Sequence, residues 1–222
     1  LDHYKTMEKY VEAKQRIFRN QKKDDILICN VQCLPESAIC PSTLLKAGVN
    51  EPDTELCVAE EPDGTWIHFR DKAYRIPVDE IRLLGQHNYF DIGVVYGVCS
   101  ILGMDDGAFT AGLKTYEPLP HRLQYLGERD GVKYYDDSIS TICDTTIQAL
   151  KTLKDTDTVL IGGMDRGIDY RELIEYLSEC QVRHIILMEA TGKRIYQEIY
   201  KFYPEFKDRP RLILAEHLED GV

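Results

Sequence analysis

Residues 158–188 read TVLIGGMDRGIDYRELIEYLSECQVRHIILM, and the fold class turns on them. An apolar run at 158–162 ends in two glycines, a segment of helical period follows at 170–180, and a second apolar run occupies 184–188. A short β-like run, an amphipathic helix and another short run are the parts of a βαβ unit. The pattern continues downstream with a helix expected at 193–202 and a strand at 211–215. Strands alternating with helices of about ten residues predict an α/β fold with a parallel, doubly wound sheet.

Upstream of this unit, an alternating hairpin is expected from 123–128 and 132–135, turning at Arg129-Asp130-Gly131, and leads into a helix at 144–153. Two prolines in Tyr116-Glu117-Pro118-Leu119-Pro120 stop any helix arriving from the N-terminal side, so the domain boundary is placed there, giving domains 1–118 and 119–222. The first part is rich in strands, expected at 26–29, 56–59, 66–69 and 74–76. An amphipathic helix at 7–21, capped by Thr6, precedes them, and helices at 87–102 and 105–113 follow, with Gly103 as a stop.

Composition narrows the function classes. The 222 residues carry 27 Lys+Arg against 38 Asp+Glu, a net charge of -11, which excludes a freestanding polyanion binder and makes nucleic acid an unsuitable partner. No apolar run reaches the roughly 18–20 residues needed to span a bilayer, so no membrane partner is expected either. Seven cysteines are an odd number, without a C-x-x-C pair, which fits reduced thiols in a cytoplasm better than disulfides or structural zinc. Leu1 in place of Met, and Val222 soon after the apolar run 212–215, read as ends cut from something longer.

Two segments sit where an open parallel sheet places its ligands, beyond the carboxyl ends of strands. The first is Tyr135-Asp136-Asp137-Ser138-Ile139-Ser140-Thr141, which on spacing alone reads as helix capping. The second is Ile161-Gly162-Gly163-Met164-Asp165-Arg166-Gly167, where glycines permit a tight turn and Arg166 could clamp a carboxylate. Gly85-Gln86-His87-Asn88-Tyr89 and Leu119-Pro120-His121-Arg122 are two more polar knots at element boundaries.

In this order the four motifs resemble the Mur ligase superfamily, and within it the branch that adds D-glutamate. The matching text is "LDHYKTMEKYVEAKQRIF" (1–18), "LLGQHNY" (83–89), "GLKTYEPLPHRLQYLGERDGVKYYDDSIST" (112–141) and "VLIGGMDRGIDYREL" (159–173). The resemblance implies the end of a central ATPase domain followed by a Rossmann-like, doubly wound C-terminal domain. It implies an ATP-dependent ligase that joins D-glutamate to UDP-N-acetylmuramoyl-L-alanine through an acyl phosphate, working as a cytoplasmic monomer with ATP and Mg2+.

Residue by residue, Lys14 matches the family lysine that is carbamylated and helps hold Mg2+; a carbamate supplies the hard oxygen donor this metal prefers, which an ammonium does not. Asn88 and Asp91 fall near the adenine, Arg122 and Asp137 near the nucleotide, and Ser138, Thr141 and Arg166 face the substrate, Thr141 and Arg166 on the D-glutamate side. His3 is left out, because its spacing of eleven residues to Lys14 is too short for the family's metal-binding histidine. Two departures stand out: Ile139 where many members have lysine, and Asp91 where a second asparagine is common. The Gly-rich phosphate loop is absent from these 222 residues, so alone they are expected to show no ligase turnover. The alternatives are another Mur or folylpolyglutamate-type ligase, or a non-catalytic nucleotide-binding module.

Overall fold

Thr6 starts the first helix. Its backbone is extended (φ -130°, ψ 154°) and its Oγ1 accepts the Lys9 amide at 3.4 Å, capping α1, Met7–Gln15. The sequence predicts this helix to 21, and the structure ends it six residues earlier. From Arg16 onward the amides bond three residues back, Ile17 to Lys14 and Phe18 to Gln15, in successive tight turns. The reason is a missing core: α1 buries no residue and Ile17 is 83% exposed, so nothing rewards another α-turn.

The computed structural model describes residues 4–33, 40–203, 206 and 211–217, which divide between two units, Leu1–Glu117 and Pro118–Val222. In the first unit, strands β1 (Ile26–Asn30), β2 (Thr43–Val49), β3 (Leu56–Glu61), β4 (Gly64–Phe69) and β5 (Lys72–Arg75) form one sheet in chain order. β1, β2 and β3 are parallel, and β3, β4 and β5 form an antiparallel meander with two-residue loops at Pro62-Asp63 and Arg70-Asp71. β2 was not legible in the sequence. Lys46 and Gly48 interrupt its apolar run, yet Leu45, Ala47 and Gly48 are buried because the strand lies between two others.

Helix α2, Gln86–Ile101, lies against β2, β3 and β4. Two glycines one turn apart let it approach. A Cβ at Gly93 would stand 2.5 Å from Val58 Cγ2, and one at Gly97 would stand 2.7 Å from Leu56 Cδ1 and 3.2 Å from Ile28 Cδ1. Gly103 (φ +82°) ends the run, and α3, Asp106–Thr115, starts from the Asp105 cap. Tyr96 stacks on Tyr74 at 4.9 Å and both meet the edge of Phe109, while the Tyr96 hydroxyl donates to Asp106 at 3.0 Å. Burial, with the acceptor Asp106 second, pushes the Tyr96 phenol up to about 12.

The second unit opens with the hairpin of β6 (Gln124–Arg129) and β7 (Val132–Asp136). Its loop, Asp130-Gly131, has φ 54° and 80°, the paired positive values of a type I′ turn. Strands β8 (Thr158–Ile161), β9 (His184–Met188) and β10 (Arg211–Ala215) then form a parallel sheet, in register from Thr158↔His184 to Ile161↔Leu187. Helix α5 (Arg171–Glu179) links β8 to β9, and α6 (Glu189–Phe202) links β9 to β10. α4 (Cys143–Thr152) packs on α5, and α6 packs on β9 and β10.

Leu173, Ile174, Leu177, Ile185, Leu187, Ile195 and Ile199 are the buried centre of that packing. α6 begins four residues before the 193 expected from sequence. At Gly192 a Cβ would stand 2.7 Å from the Leu187 carbonyl carbon and 3.1 Å from the Ile161 oxygen, so glycine is what lets the helix start at the strand ends. Among the described residues no helix is long and apolar enough to cross a membrane.

Gly93→Ala and Gly97→Ala are each expected to destabilise the first unit by about 1–3 kcal/mol through overpacking. Gly112→Ala, on α3 with open space around it, should instead stabilise by about 0.5–1 kcal/mol. Urea midpoints followed by tryptophan fluorescence at Trp66 check both; equal midpoints for all three variants would refute the helix-to-sheet fit.

Candidate active site

The chain enters the second unit through a turn that disfavours ordinary side chains. His121 (φ 63°) and Leu123 (φ 45°) both occupy the left-handed region, which costs an L-residue of order 1 kcal/mol. Asp136 and Asp137, from the end of β7, hold the turn in place. His121 Nδ1 lies 2.7 Å from Asp136 Oδ2, and the Leu123 amide donates to Asp137 Oδ1 at 2.9 Å. Between these two anchors, the Arg122 side chain is half-buried and makes no ion pair or hydrogen bond among the described residues.

The same two carboxylates shape the 138–140 turn. The Ser138 amide donates to Asp136 Oδ1 at 2.9 Å, and the Ser140 hydroxyl donates to Asp137 Oδ2. The His121 contact, then the Ser138 hydroxyl and amide, hold the Asp136 carboxyl below the usual range. None of this caps α4. Its N-cap is Ile142, which offers no acceptor, so the capping that spacing suggests is absent, and Thr141 stands exposed just before an uncapped helix start.

The 162–170 loop forms a second cradle in the same unit. Gly162 passes close to Met188, where a Cβ would stand 2.6 Å from its Cγ, and the Thr191 amide donates to the Gly163 carbonyl at 3.0 Å. Asp165 Oδ1 accepts the Gly167 amide at 2.8 Å and Arg194 Nη1 at 2.9 Å. The Gly167 amide first, opposed by burial and helped by Arg194, holds this carboxyl low. At the loop's end Asp169 pairs with Arg171, whose side chain and amide bring its carboxyl down to about 2. Arg166 is exposed and makes no ion pair or hydrogen bond among the described residues.

The two cradles meet at the Cys143 thiol, which donates to the Asp169 carbonyl at 3.3 Å. Thr141 lies two residues before Cys143 and Arg166 three before Asp169. Arg122, Asp137, Ser138, Thr141 and Arg166 therefore belong to segments that touch one another. Together they combine two unpaired guanidiniums, exposed Ser138 and Thr141 and an uncapped helix start, a set suited to anionic groups.

Asn88, Asp91 and Lys14 lie in the first unit. Asn88, in the first turn of α2, donates from Nδ2 to the Leu84 carbonyl at 2.6 Å, while its Oδ1 accepts nothing among the described residues. Asp91 is exposed as a residue, but burial of its carboxyl pushes its pKa up, with His87 pulling the other way. The Lys14 side chain is exposed, 5.4 Å over the Tyr10 ring, with no carboxylate partner among the described residues. His3 lies outside the described residues. Sequence reasoning missed His121 as a positioning group, although it adjoins Arg122, and missed Arg194, which stands 29 residues from its partner Asp165.

Residues 1–98 match the Mur ligase middle domain. Over its whole length the chain is 34% identical to the UDP-N-acetylmuramoylalanine–D-glutamate ligase of Staphylococcus haemolyticus and covers 47% of that protein. It is 32% identical to the enzyme of the same name from Citrifermentans bemidjiense, covering 48%. The chain thus spans about half the length of the curated relatives it matches. In fold it is similar to MurF from Acinetobacter baumannii, with a TM-score of 0.65 and 13% identity over 97% of this chain and 55% of that one. It is equally similar to MurF from Thermotoga maritima in complex with ADP, with a TM-score of 0.65 and 16% identity over 95% of this chain and 48% of that one.

Because the folded state lowers the Asp136 pKa, the ionised carboxylate stabilises the fold above the unfolded value of about 3.9, and this contribution is lost as pH falls through the lower folded value. Asp136→Asn should therefore cost roughly 0.5–1.5 kcal/mol at pH 7, and its deficit against the parent should shrink toward zero below pH 4. Urea titrations of the two proteins across that range check the sign. A deficit that persists unchanged at pH 3 would show that the charge on Asp136 is not what holds the turn.

Proposed function

From the chain's membership of the Mur ligase family, we propose that it is the nucleotide and acceptor part of an ATP-dependent ligase that joins D-glutamate to UDP-N-acetylmuramoyl-L-alanine. The observation that carries this reading is the pair of unpaired arginines, Arg122 and Arg166, on two cradles that touch through Cys143 and Asp169. In this reading a carboxylate oxygen of the nucleotide-linked substrate attacks the γ-phosphorus of ATP and ADP leaves. The amine of D-glutamate then attacks the acyl carbon and phosphate leaves.

The chain's own residues bind and orient. Arg122 is the phosphate contact, fixed in direction by its anchored neighbours His121 and Leu123. The open Oδ1 of Asn88 suits an exocyclic amine such as adenine carries. Asp91 is assigned to the same neighbourhood. Asp137 has one hydrogen bond on each carboxylate oxygen, so it orients the loop and meets the nucleotide through its remaining lone pairs. Ser138 and Thr141 offer hydroxyls, and Arg166 clamps the acceptor carboxylate.

The exposed Lys14 fits a carbamate, since no carboxylate among the described residues ties up its ammonium. Among the described residues no cluster of three or more His, Cys, Asp or Glu side chains could hold a metal. Of the described residues, Lys14 as its carbamate would supply an oxygen donor of the hard type that Mg2+ prefers. When bound, the ion neutralises developing charge on phosphate oxygens. With ATP and a uridine nucleotide as its substrates, the reaction is assigned in this reading to the cytoplasm and to a monomer.

In the complete ligase that carries this segment, phosphate release should depend on D-glutamate. Arg166→Ala should raise the KM for D-glutamate at least about tenfold, the loss of a charge-assisted contact. Lys14→Ala should abolish turnover and regain part of it with added short carboxylates. Preference for L-lysine or meso-diaminopimelate over D-glutamate would overturn the acceptor assignment, and full activity of Lys14→Ala without additives would remove Lys14 from the mechanism.

A further inference from the structure

Arg194 lies on α6, where no motif of the sequence pointed, and each nitrogen of its guanidinium donates a hydrogen bond. Nη1 donates to Asp165 Oδ1 at 2.9 Å, Nη2 to the Ile168 carbonyl at 2.8 Å and Nε to Glu198 Oε1 at 3.0 Å, while the plane lies 4.9 Å over the Tyr170 ring. It therefore grips the 165–168 turn at both ends, from a helix anchored by buried Ile195 and Ile199. Asp165 and Arg166 are chain neighbours of opposite charge, yet they form no ion pair, and the acid faces Arg194 and the Gly167 amide instead.

We propose that Arg194 is a positioning residue that keeps Arg166 available to an anionic ligand by holding the neighbouring carboxylate, Asp165, that would otherwise pair with Arg166. Asp165 is the only acid in the stretch 162–168 and the chain neighbour of Arg166, so it is the competitor for that guanidinium that lies closest along the chain. Its capture is specific to arginine, because a single ammonium cannot donate to Asp165, Ile168 and Glu198 from one planar group. The ligand half of this inference rests on the acceptor role proposed above for Arg166, and the staple itself does not.

The test follows the Arg166 Nε–H resonance of the 222-residue chain by NMR during titration with D-glutamate. Arg194→Met should weaken D-glutamate binding at least about tenfold. Adding Asp165→Asn to that variant should return the affinity to within about twofold of the parent, because the competitor is gone; a merely structural role would leave the double variant as weak as the single. An Arg194→Met affinity within twofold of the parent overturns the proposal, and so does failure of the double variant to recover.

Should Arg194→Met not fold, Asp165→Asn alone decides. A sequestered acid predicts unchanged affinity, and tightening beyond about threefold shows that Asp165 was competing despite Arg194. Without ligand, hydrogen exchange of Arg166 Nε–H should slow in Arg194→Met as the freed Asp165 pairs with it. Slowing in a protein whose Arg166 ignores D-glutamate would sink the acceptor reading and leave the staple standing, whereas unchanged exchange would sink the staple.

Discussion

In a chain of 38 acids and 27 Lys and Arg residues, an arginine without a carboxylate partner has to be kept that way. Among the described residues, the second unit commits the acids of its two turns to other donors and leaves Arg122 and Arg166 without a carboxylate partner. Asp136 is held by His121 and Ser138, Asp137 by Leu123 and Ser140, Asp165 by Gly167 and Arg194, and Asp169 by Arg171. Most of these donors are backbone amides, or side chains anchored in elements that the fold must build anyway. The same hydrogen bonds that close the turns therefore also leave Arg122 and Arg166 open.

This commitment explains why the site sits on strained backbone. His121 and Leu123 adopt positive φ although neither is glycine, asparagine or aspartate, and a lone turn would relax. The Asp136 and Asp137 contacts, each charge-assisted, offset a strain of similar size. Removing the carboxylates would release the turn and with it the direction of Arg122. Stability and site geometry are here one property, read at two places.

Legibility in the sequence followed the range of the interactions. The hairpin was readable because Asp130-Gly131 supplies its own positive φ, and the parallel unit because apolar runs alternate with helical periods. The strand Thr43–Val49 was not, since its burial comes from neighbours on both sides and not from its own pattern. The helix from Met7 stopped short for the converse reason, because its apolar positions had no core to meet. Arg122 and Arg166 could be picked out by motif, but their freedom could not: it depends on His121 reaching 15 residues to Asp136, and on Arg194 reaching 29 to Asp165.

The overall charge of -11 works against anionic ligands at long range. At a Debye length of about 8 Å in physiological salt, however, a ligand at the loop mouth is governed by the charges within a few ångströms. There the neighbouring acids are already engaged by hydrogen bonds, and the uncapped start of α4 adds the positive end of a helix dipole. Association should then be slower than for a basic protein, while on the roles proposed for Arg122 and Arg166 the bound state would be held by their short-range contacts. Such a site gains selectivity from the mismatch, since an anion too poorly shaped to reach both cradles meets only the repulsive field of the surrounding surface.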